Sequence, residues 1–197
     1  MGRGHAPGPA GVVPAGPGAL GYWLFGQDDE RVDVIWLAQA GWAVVGADIS
    51  GVALERAAQH AADTDPAAAA RIEWRKADLL AQPPEPDSFD LVSAQFIQMP
   101  PDRRVPLFAA LAAAVRDGGM LLIVGHHPSD LETGVPRPPL PEVFYTPEEI
   151  AAPLDGSWAV RTCAARPRPA TTPDGAEVTV HDTVLAAVRG SGPPAQT

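Results

Sequence analysis

The hydrophobic positions of this chain form strand-like and helix-like segments in alternation. Continuous or alternating apolar runs predict five strands, at 19–25, 42–48, 71–80, 87–97 and 120–127. Apolar residues at helical spacing predict helices between them, at 29–40, 51–62 and 101–119. Because strands alternate with helices, the pattern predicts a mostly parallel sheet with helices on both faces.

Capping residues support the predicted helix ends. Ser50 is placed to cap the second helix. Thr146, followed three positions later by Glu149, predicts a capping box and a further short helix over 146–154. The pair Gly118-Gly119 is typical of a helix stop, so we expect the helix that starts at 101 to close there.

The first helix is predicted to have one apolar face and an acidic first turn. Val32, Ile35 and Trp36 have helical spacing and predict one apolar face. Acidic residues at its start complement the positive end of the helix dipole.

The C-terminal part departs from simple alternation. Two long strands, at 158–168 and 177–189, are joined by the turn sequence TTPDGA, which favours an antiparallel hairpin. The whole pattern predicts one α/β domain over 19–189, with a mostly parallel sheet that ends in this hairpin. Residues 1–18 are rich in Pro and Gly and predict an irregular arm, and 190–197 predict a flexible tail.

Composition narrows the classes of protein that the pattern allows. The length of 197 residues suits one domain, and the net charge of −10 disfavours binding to the phosphate backbone of nucleic acid. No apolar run reaches the roughly 18 residues of a membrane span, and the N-terminus lacks the apolar core of a secretory signal. With a single cysteine, Cys163, the chain has no intramolecular disulfide. These features predict a cytoplasmic protein without a membrane partner.

Four stretches of sequence resemble successive segments of one enzyme family. They are GWAVVGADISGVALERAAQHA (41–61), KADLL (76–80), FDLVSAQFIQMPPDRR (89–104) and LAAAVRDGGMLLIVGHHPSDL (111–131). In this order they resemble the class I methyltransferases, which use S-adenosylmethionine. The stretches VFYTPEEIAAPL (143–154) and EVTVHDTVL (177–185) resemble a small bacterial subgroup related to tellurite-resistance and thiopurine methyltransferases. The resemblance covers about 19–189 and implies a Rossmann-like fold, a small-molecule substrate and a possible homodimer.

The resemblance also implies which residues bind ligands. It assigns Asp48 to the ribose hydroxyls, Asp78 to the adenine amino group and the backbone amide of Leu79 to the adenine ring. The full set implied for the cofactor is Gly26, Glu30, Asp48, Ile49, Asp78, Leu79 and Gln95. The set implied for the substrate is Phe96, Gln98, Met99 and His126.

The segment after the first strand departs from the family pattern. Counted back from DVIWLA (33–38), which resembles the start of the family's first helix, Phe25 stands where the family has Asp, and Gln27, Asp29 and Arg31 stand where it has glycines. An alignment that starts from GAL (18–20) needs a short insertion and puts Gly21 at the Asp position; neither alignment restores the motif. Glycine serves there because, without a Cβ, the backbone can turn tightly and approach the ligand. The new side chains would fill space that the methionine portion of the cofactor occupies. Three hypotheses follow: a methyltransferase, an enzyme of the same fold repurposed for cyclisation, isomerisation or elimination, and a non-catalytic binding subunit.

Two adjacent histidines after the fifth strand are the candidates for proton transfer. His126 and His127 end a fully apolar strand at the edge where α/β folds bind ligands. Neighbouring residues on a strand point to opposite sides, so both cannot readily ligate one metal ion. We therefore predict no metal site.

Overall fold

A computed structural model describes residues 19–24 and 32–190, and the account below concerns these residues. They contain seven strands in one sheet of order β3-β2-β1-β4-β5-β7-β6. The strands are β1 Leu20–Leu24, β2 Ala43–Asp48, β3 Ile72–Lys76, β4 Phe89–Gln95, β5 Val115–His126, β6 Trp158–Thr171 and β7 Glu177–Arg189. Strands β1 to β5 are parallel, whereas β7 runs antiparallel to both β5 and β6. This topology confirms the predicted α/β fold with a closing hairpin.

Helices cover both faces of the sheet. They are α1 Val32–Gln39, α2 Gly51–Thr64, α3 Pro66–Ala69, α4 Pro101–Ala114 and α5 Pro147–Ala151, with 3₁₀ turns at Pro128–Glu132 and Pro141–Val143. Side chains of successive strand residues point to opposite faces. Along β5, Leu121 therefore belongs to the core beneath α4 and α5, and Leu122 to the core beneath α1 and α3. No helix within the described ranges is long and apolar enough to cross a membrane.

The predicted caps are confirmed. Ser50 caps α2 by accepting a hydrogen bond at Oγ from the amide of Ala53, at 3.2 Å. The hydroxyl of Thr146 accepts from the amide of Glu149 at 3.3 Å, and the carboxylate of Glu149 accepts from the amide of Thr146 at 3.1 Å. These bonds satisfy amides that have no partner inside the helix.

The structure buries only part of the apolar face predicted for α1. Ile35 is buried together with Val34, Leu37 and Ala38, whereas Trp36 is 42% exposed. At 100° per residue, Trp36 lies opposite the centre of these four side chains. Packing on the sheet therefore selects a face that includes Ile35 and leaves Trp36 outside.

The predicted helix stop at Gly118-Gly119 is wrong. Helix α4 ends at Ala114, and β5 begins at Val115, which pairs with Phe89. The register then shifts between β4 and β5, so that the two glycines lie in a bulged part of the strand. Gly118 has φ +77°, and a Cβ on Gly119 would lie 2.9 Å from the carbonyl oxygen of Phe89. Glycine is required here by a close approach between strands, which a sequence pattern does not distinguish from a helix stop.

Candidate functional site

The carboxyl ends of β2 and β3 lie side by side at one edge of the sheet. Asp48 ends β2 and is half-buried, and its Oδ1 accepts a hydrogen bond from the amide of Ser50 at 2.7 Å. Within the described part of the chain, its Oδ2 has no hydrogen-bond partner. The next residue, Ile49, is 64% exposed. A carboxylate oxygen beside an exposed aliphatic side chain suits a ligand that has both hydroxyl groups and an apolar ring.

The turn after β3 completes this part of the edge. Asp78 is exposed, and its Oδ1 accepts from the amide of Leu80 at 3.1 Å. Leu79 is buried in the core with 6% exposure. The backbone amide of Ala77 donates to the carbonyl oxygen of Asp48 at 3.1 Å and so joins the ends of the two strands. The implied ribose and adenine residues are therefore neighbours.

The end of β4 has a strained backbone. Gln95 is buried and donates from Nε2 to the hydroxyl of Ser93 at 3.1 Å. Phe96 follows with φ +49°, a conformation that costs an L-residue about 1–2 kcal/mol. Its amide donates to the carbonyl oxygen of Val124 at 2.8 Å, and its ring lies 4.7 Å from the His126 ring, centroid to centroid. These contacts hold the aromatic side chain at the end of β5.

The segment after Phe96 is attached to its surroundings by polar groups. With the Gln98 amide oriented so that both of its ends meet a complementary partner, its nitrogen donates to the carbonyl oxygen of Val143 at 2.6 Å and its oxygen accepts from the amide of His126 at 3.0 Å. Met99 packs against the core beneath α4, and its carbonyl oxygen accepts from Nη1 of Arg104 at 3.3 Å. The same guanidinium lies over the ring of Tyr145, 4.8 Å from its centroid.

Tyr145 and Arg104 are both withdrawn from water. Burial raises the pKa of the fully buried Tyr145 hydroxyl well above its usual range, and the neighbouring guanidinium opposes this effect only in part. Burial also lowers the pKa of Arg104 from its ordinary value. The Tyr145 hydroxyl lies where a Cβ on Gly125 would lie, so glycine at that position makes room for it. The pair therefore has a packing role beside the end of β5.

The two candidate histidines have different surroundings. His126 is 5% exposed and lies near the rings of Phe96 and Phe144, both tilted against its own, with centroid distances of 4.7 and 6.4 Å. His127 caps the following 3₁₀ turn, because its Nδ1 accepts from the amide of Ser129 at 3.2 Å. Among residues 19–24 and 32–190, no three His, Cys, Asp or Glu side chains form a metal-binding group.

A cavity of about 470 Å³ opens at the carboxyl ends of β4 and β5. It is lined by Phe96, Gln98 and His126 and by the segment 136–139, which has the sequence PRPP. This volume lies within the range of about 300–1,000 Å³ that small-molecule sites occupy. Two strand spacings, roughly 10 Å, separate the end of β4 from the end of β2 and its Asp48.

An ion pair holds the PRPP segment in place. Asp130 has no exposed surface, and its Oδ2 accepts from Nε and Nη2 of Arg137 at 3.1 and 2.8 Å. Its other oxygen accepts from the backbone amide of His181 at 2.7 Å. The Arg137 side chain is only 12% exposed. The carboxylate therefore joins the segment after β5 to strand β7.

The structure brings some of the predicted residues together. Phe96, Gln98 and His126 meet at the cavity, whereas Met99 packs against the core. Gly26 and Glu30 lie outside the described residues. Arg137 also lines the cavity but was not predicted from the sequence. The available signal was the proline-rich stretch around it, since prolines limit the backbone to few conformations.

Comparisons with known proteins agree with this geometry. Residues 32–119 match the model of a family described as a methyltransferase domain. A search of curated proteins gives no significant match.

Solved structures with the same fold cover most of the chain. A protein studied for the conversion of a disulfide bond into a thioacetal group during echinomycin biosynthesis is 20% identical, with a TM-score of 0.64. The alignment covers 94% of this chain and 80% of that one. The N-methyltransferase NodS from Bradyrhizobium japonicum WM9 is 13% identical, with a TM-score of 0.63 and coverage of 89% and 88%. TehB from Haemophilus influenzae is 16% identical, with a TM-score of 0.62, and the alignment covers 86% of this chain and 57% of that one.

The strand order and the likeness to these structures show that the chain has the fold of the class I methyltransferases. Residues 32–119 are, in addition, similar to a methyltransferase domain.

Proposed function

We propose that this protein transfers a methyl group from S-adenosylmethionine to a small molecule. The observation that carries the proposal is the cavity at the ends of β4 and β5, which lies on the same edge of the sheet as Asp48. Its volume suits a small acceptor rather than a macromolecular surface. A cytoplasmic location and a homodimer, both predicted from the sequence, belong to the same proposal.

The residues at the ends of β2 and β3 fit the adenosine part of the cofactor. Oδ2 of Asp48, which has no partner among the residues that the structure describes, suits a ribose hydroxyl, and the exposed side chain of Ile49 suits one face of adenine. Asp78 and the amide of Leu79 are placed beside them for the adenine edge. When bound, S-adenosylmethionine supplies an electrophilic methyl group.

The protein's own contribution is to position the acceptor and to exclude water. Phe96, His126 and the prolines of the PRPP segment supply apolar surface to the cavity wall, and Gln98 and Arg137 supply polar groups. His126 is the better placed of the two histidines to accept a proton from the acceptor, because it lines the cavity while Nδ1 of His127 is engaged in a cap. Holding an acceptor in line with a methyl group requires few dedicated side chains.

Calorimetric titration with S-adenosylhomocysteine tests the cofactor site. We expect micromolar binding to the wild type and weakening by about 10- to 100-fold in Asp48→Asn, since one hydrogen bond to a charged group contributes about 1.5–3 kcal/mol. The substitution retains an oxygen for the Ser50 amide. Asp63→Asn is the matched control, because Asp63 lies on α2 and, among the described residues, accepts a side-chain hydrogen bond from Gln59 alone.

Two results would contradict the proposal. Equal weakening by both substitutions would show that Asp48 has no specific role. An absence of binding at millimolar ligand would favour a repurposed enzyme or a binding subunit, the two other hypotheses that the departure at 25–31 suggests. Transfer of a labelled methyl group to a panel of small acceptors then tests the reaction itself.

A further inference from the structure

Among the residues that the structure describes, the cavity wall contains one cation. Arg137 lines it, together with the rings of Phe96 and His126 and the prolines of the PRPP segment. Two nitrogens of the guanidinium bind Asp130, while Nη1 has no hydrogen-bond partner in the part of the chain that the structure describes. Arg137 therefore keeps a donor, and it belongs to a wall whose other residues are Gln98, two rings and three prolines.

The ion pair gives this donor a fixed position. Asp130 is fully buried and is itself held by the His181 amide, so the guanidinium is anchored through a carboxylate that cannot move freely. A fixed guanidinium loses little conformational entropy when it binds a second acceptor, and its planar form matches an anionic oxygen. A flexible surface arginine would not have this advantage.

The walls indicate the rest of the ligand. The Phe96 and His126 rings are 4.7 Å apart, and proline rings line another part of the cavity. Such surfaces favour a flat apolar group over a branched or strongly hydrated one. The protein carries a net charge of −10, so its overall field disfavours anions. A preference for an anion at this cavity would have to come from a local cation.

We propose that Arg137 determines substrate specificity by binding the carboxylate of a planar, aromatic acid in this cavity. The inference names the substrate class of the proposed methyltransferase and in that respect rests on the proposed function. It concerns the anchoring of the ligand and leaves open which atom of the ligand receives the methyl group.

The test compares benzoate with its neutral counterpart benzamide, which has the same shape. Titrations by calorimetry or ligand-observed NMR give the two dissociation constants. For the wild type we expect benzoate to bind about tenfold more tightly than benzamide, the discrimination that one charge-assisted hydrogen bond provides.

The double substitution Asp130→Asn/Arg137→Gln tests the residue without leaving a buried charge unpaired. The new amides can hydrogen-bond each other, and an oxygen remains for the His181 amide. We expect the preference for benzoate to fall below about twofold. The matched control is Asp182→Asn/Arg168→Gln, which removes a neighbouring ion pair with a 2.8 Å contact that does not line the cavity. This control should keep the wild-type preference.

Three results would overturn the inference: no benzoate binding to the wild type at about 50 mM, no preference over benzamide, or a preference that survives in the Asp130/Arg137 variant. Titration with S-adenosylhomocysteine separates this outcome from the proposed function. If the homocysteine derivative binds but benzoate is not preferred, only the role of Arg137 is wrong. If benzoate is preferred through Arg137 but the homocysteine derivative does not bind, the methyl transfer is wrong and the anion site stands.

Discussion

The buried pair Asp130–Arg137 allows a prediction whose size follows from the structure. Arg137→Met removes both hydrogen bonds to Oδ2 and leaves a fully buried carboxylate with the His181 amide as its partner. Removing one member of a buried ion pair costs about 3–5 kcal/mol, because the remaining charge is not compensated. A domain is stable by only about 5–15 kcal/mol, so this variant should lose a large part of its free energy of unfolding.

Urea unfolding, followed by far-ultraviolet circular dichroism, measures this loss. Asp130→Asn/Arg137→Gln should recover most of the free energy, since it removes both charges together. The matched control is Arg75→Met, which breaks a pair with Glu73 whose side chains are 43% and 60% exposed. An exposed pair contributes about 0–1 kcal/mol, so this control should stay close to the wild type. If Arg137→Met changed stability no more than Arg75→Met, or if the double variant were as unstable as the single one, the reasoning would be refuted.

Three further predictions concern other buried or titrating groups. Thr183→Val removes the 2.6 Å hydrogen bond from the Thr183 hydroxyl to the carbonyl oxygen of Tyr145; both residues are fully buried. Urea unfolding should show a loss of about 1–3 kcal/mol in the free energy of unfolding, whereas Thr183→Ser should retain most of the wild-type free energy. Burial raises the pKa of Tyr22 to about 12 and that of Tyr145 further, so neither of the two tyrosines should ionise near pH 10 in an ultraviolet absorbance titration of the folded protein. The unfolded chain releases these protons at lower pH, so stability should fall as the pH rises above 10, and a normal tyrosine titration without unfolding would contradict this. Burial raises the pKa of Asp182 above 3.8, against the opposing effect of Arg168, while amide hydrogen bonds, first that of Ala68, lower the pKa of Asp65 below 3.8. Carbon-13 NMR titration should therefore give a midpoint above 3.8 for Asp182 and below 3.8 for Asp65. The folded state keeps the proton of Asp182 to higher pH than the unfolded chain does, so Asp182 stabilises the fold less as the pH rises above 3.8. Asp65 loses its proton at lower pH in the folded state, so its contribution to stability is lost as the pH falls below 3.8.

The candidate site was only partly accessible from the sequence. Asp48 and Asp78 follow predicted strands, and parallel strands bring their carboxyl ends to one edge, so their proximity could be expected. Phe96 and His126 were implied by the resemblance, but the positive φ of Phe96 and the distance between the two rings come from the structure. Arg137 lies 11 positions beyond His126 in the sequence, and nothing in its local pattern connects it to Asp130.

The sequence by itself determined the elements and their order, because periodicity and capping are local properties. The alternation of strands and helices, the closing hairpin, and the caps at Ser50 and Thr146 all depend on residues within a few positions of one another. Tertiary structure decided what depends on residues far apart in the chain. Packing against the sheet turned Trp36 outward, the approach of β4 required a glycine at position 119 inside a strand, and a buried carboxylate fixed a guanidinium at the cavity. In each case the deciding partner lies on another element, and its distance and burial exist only once the chain has folded.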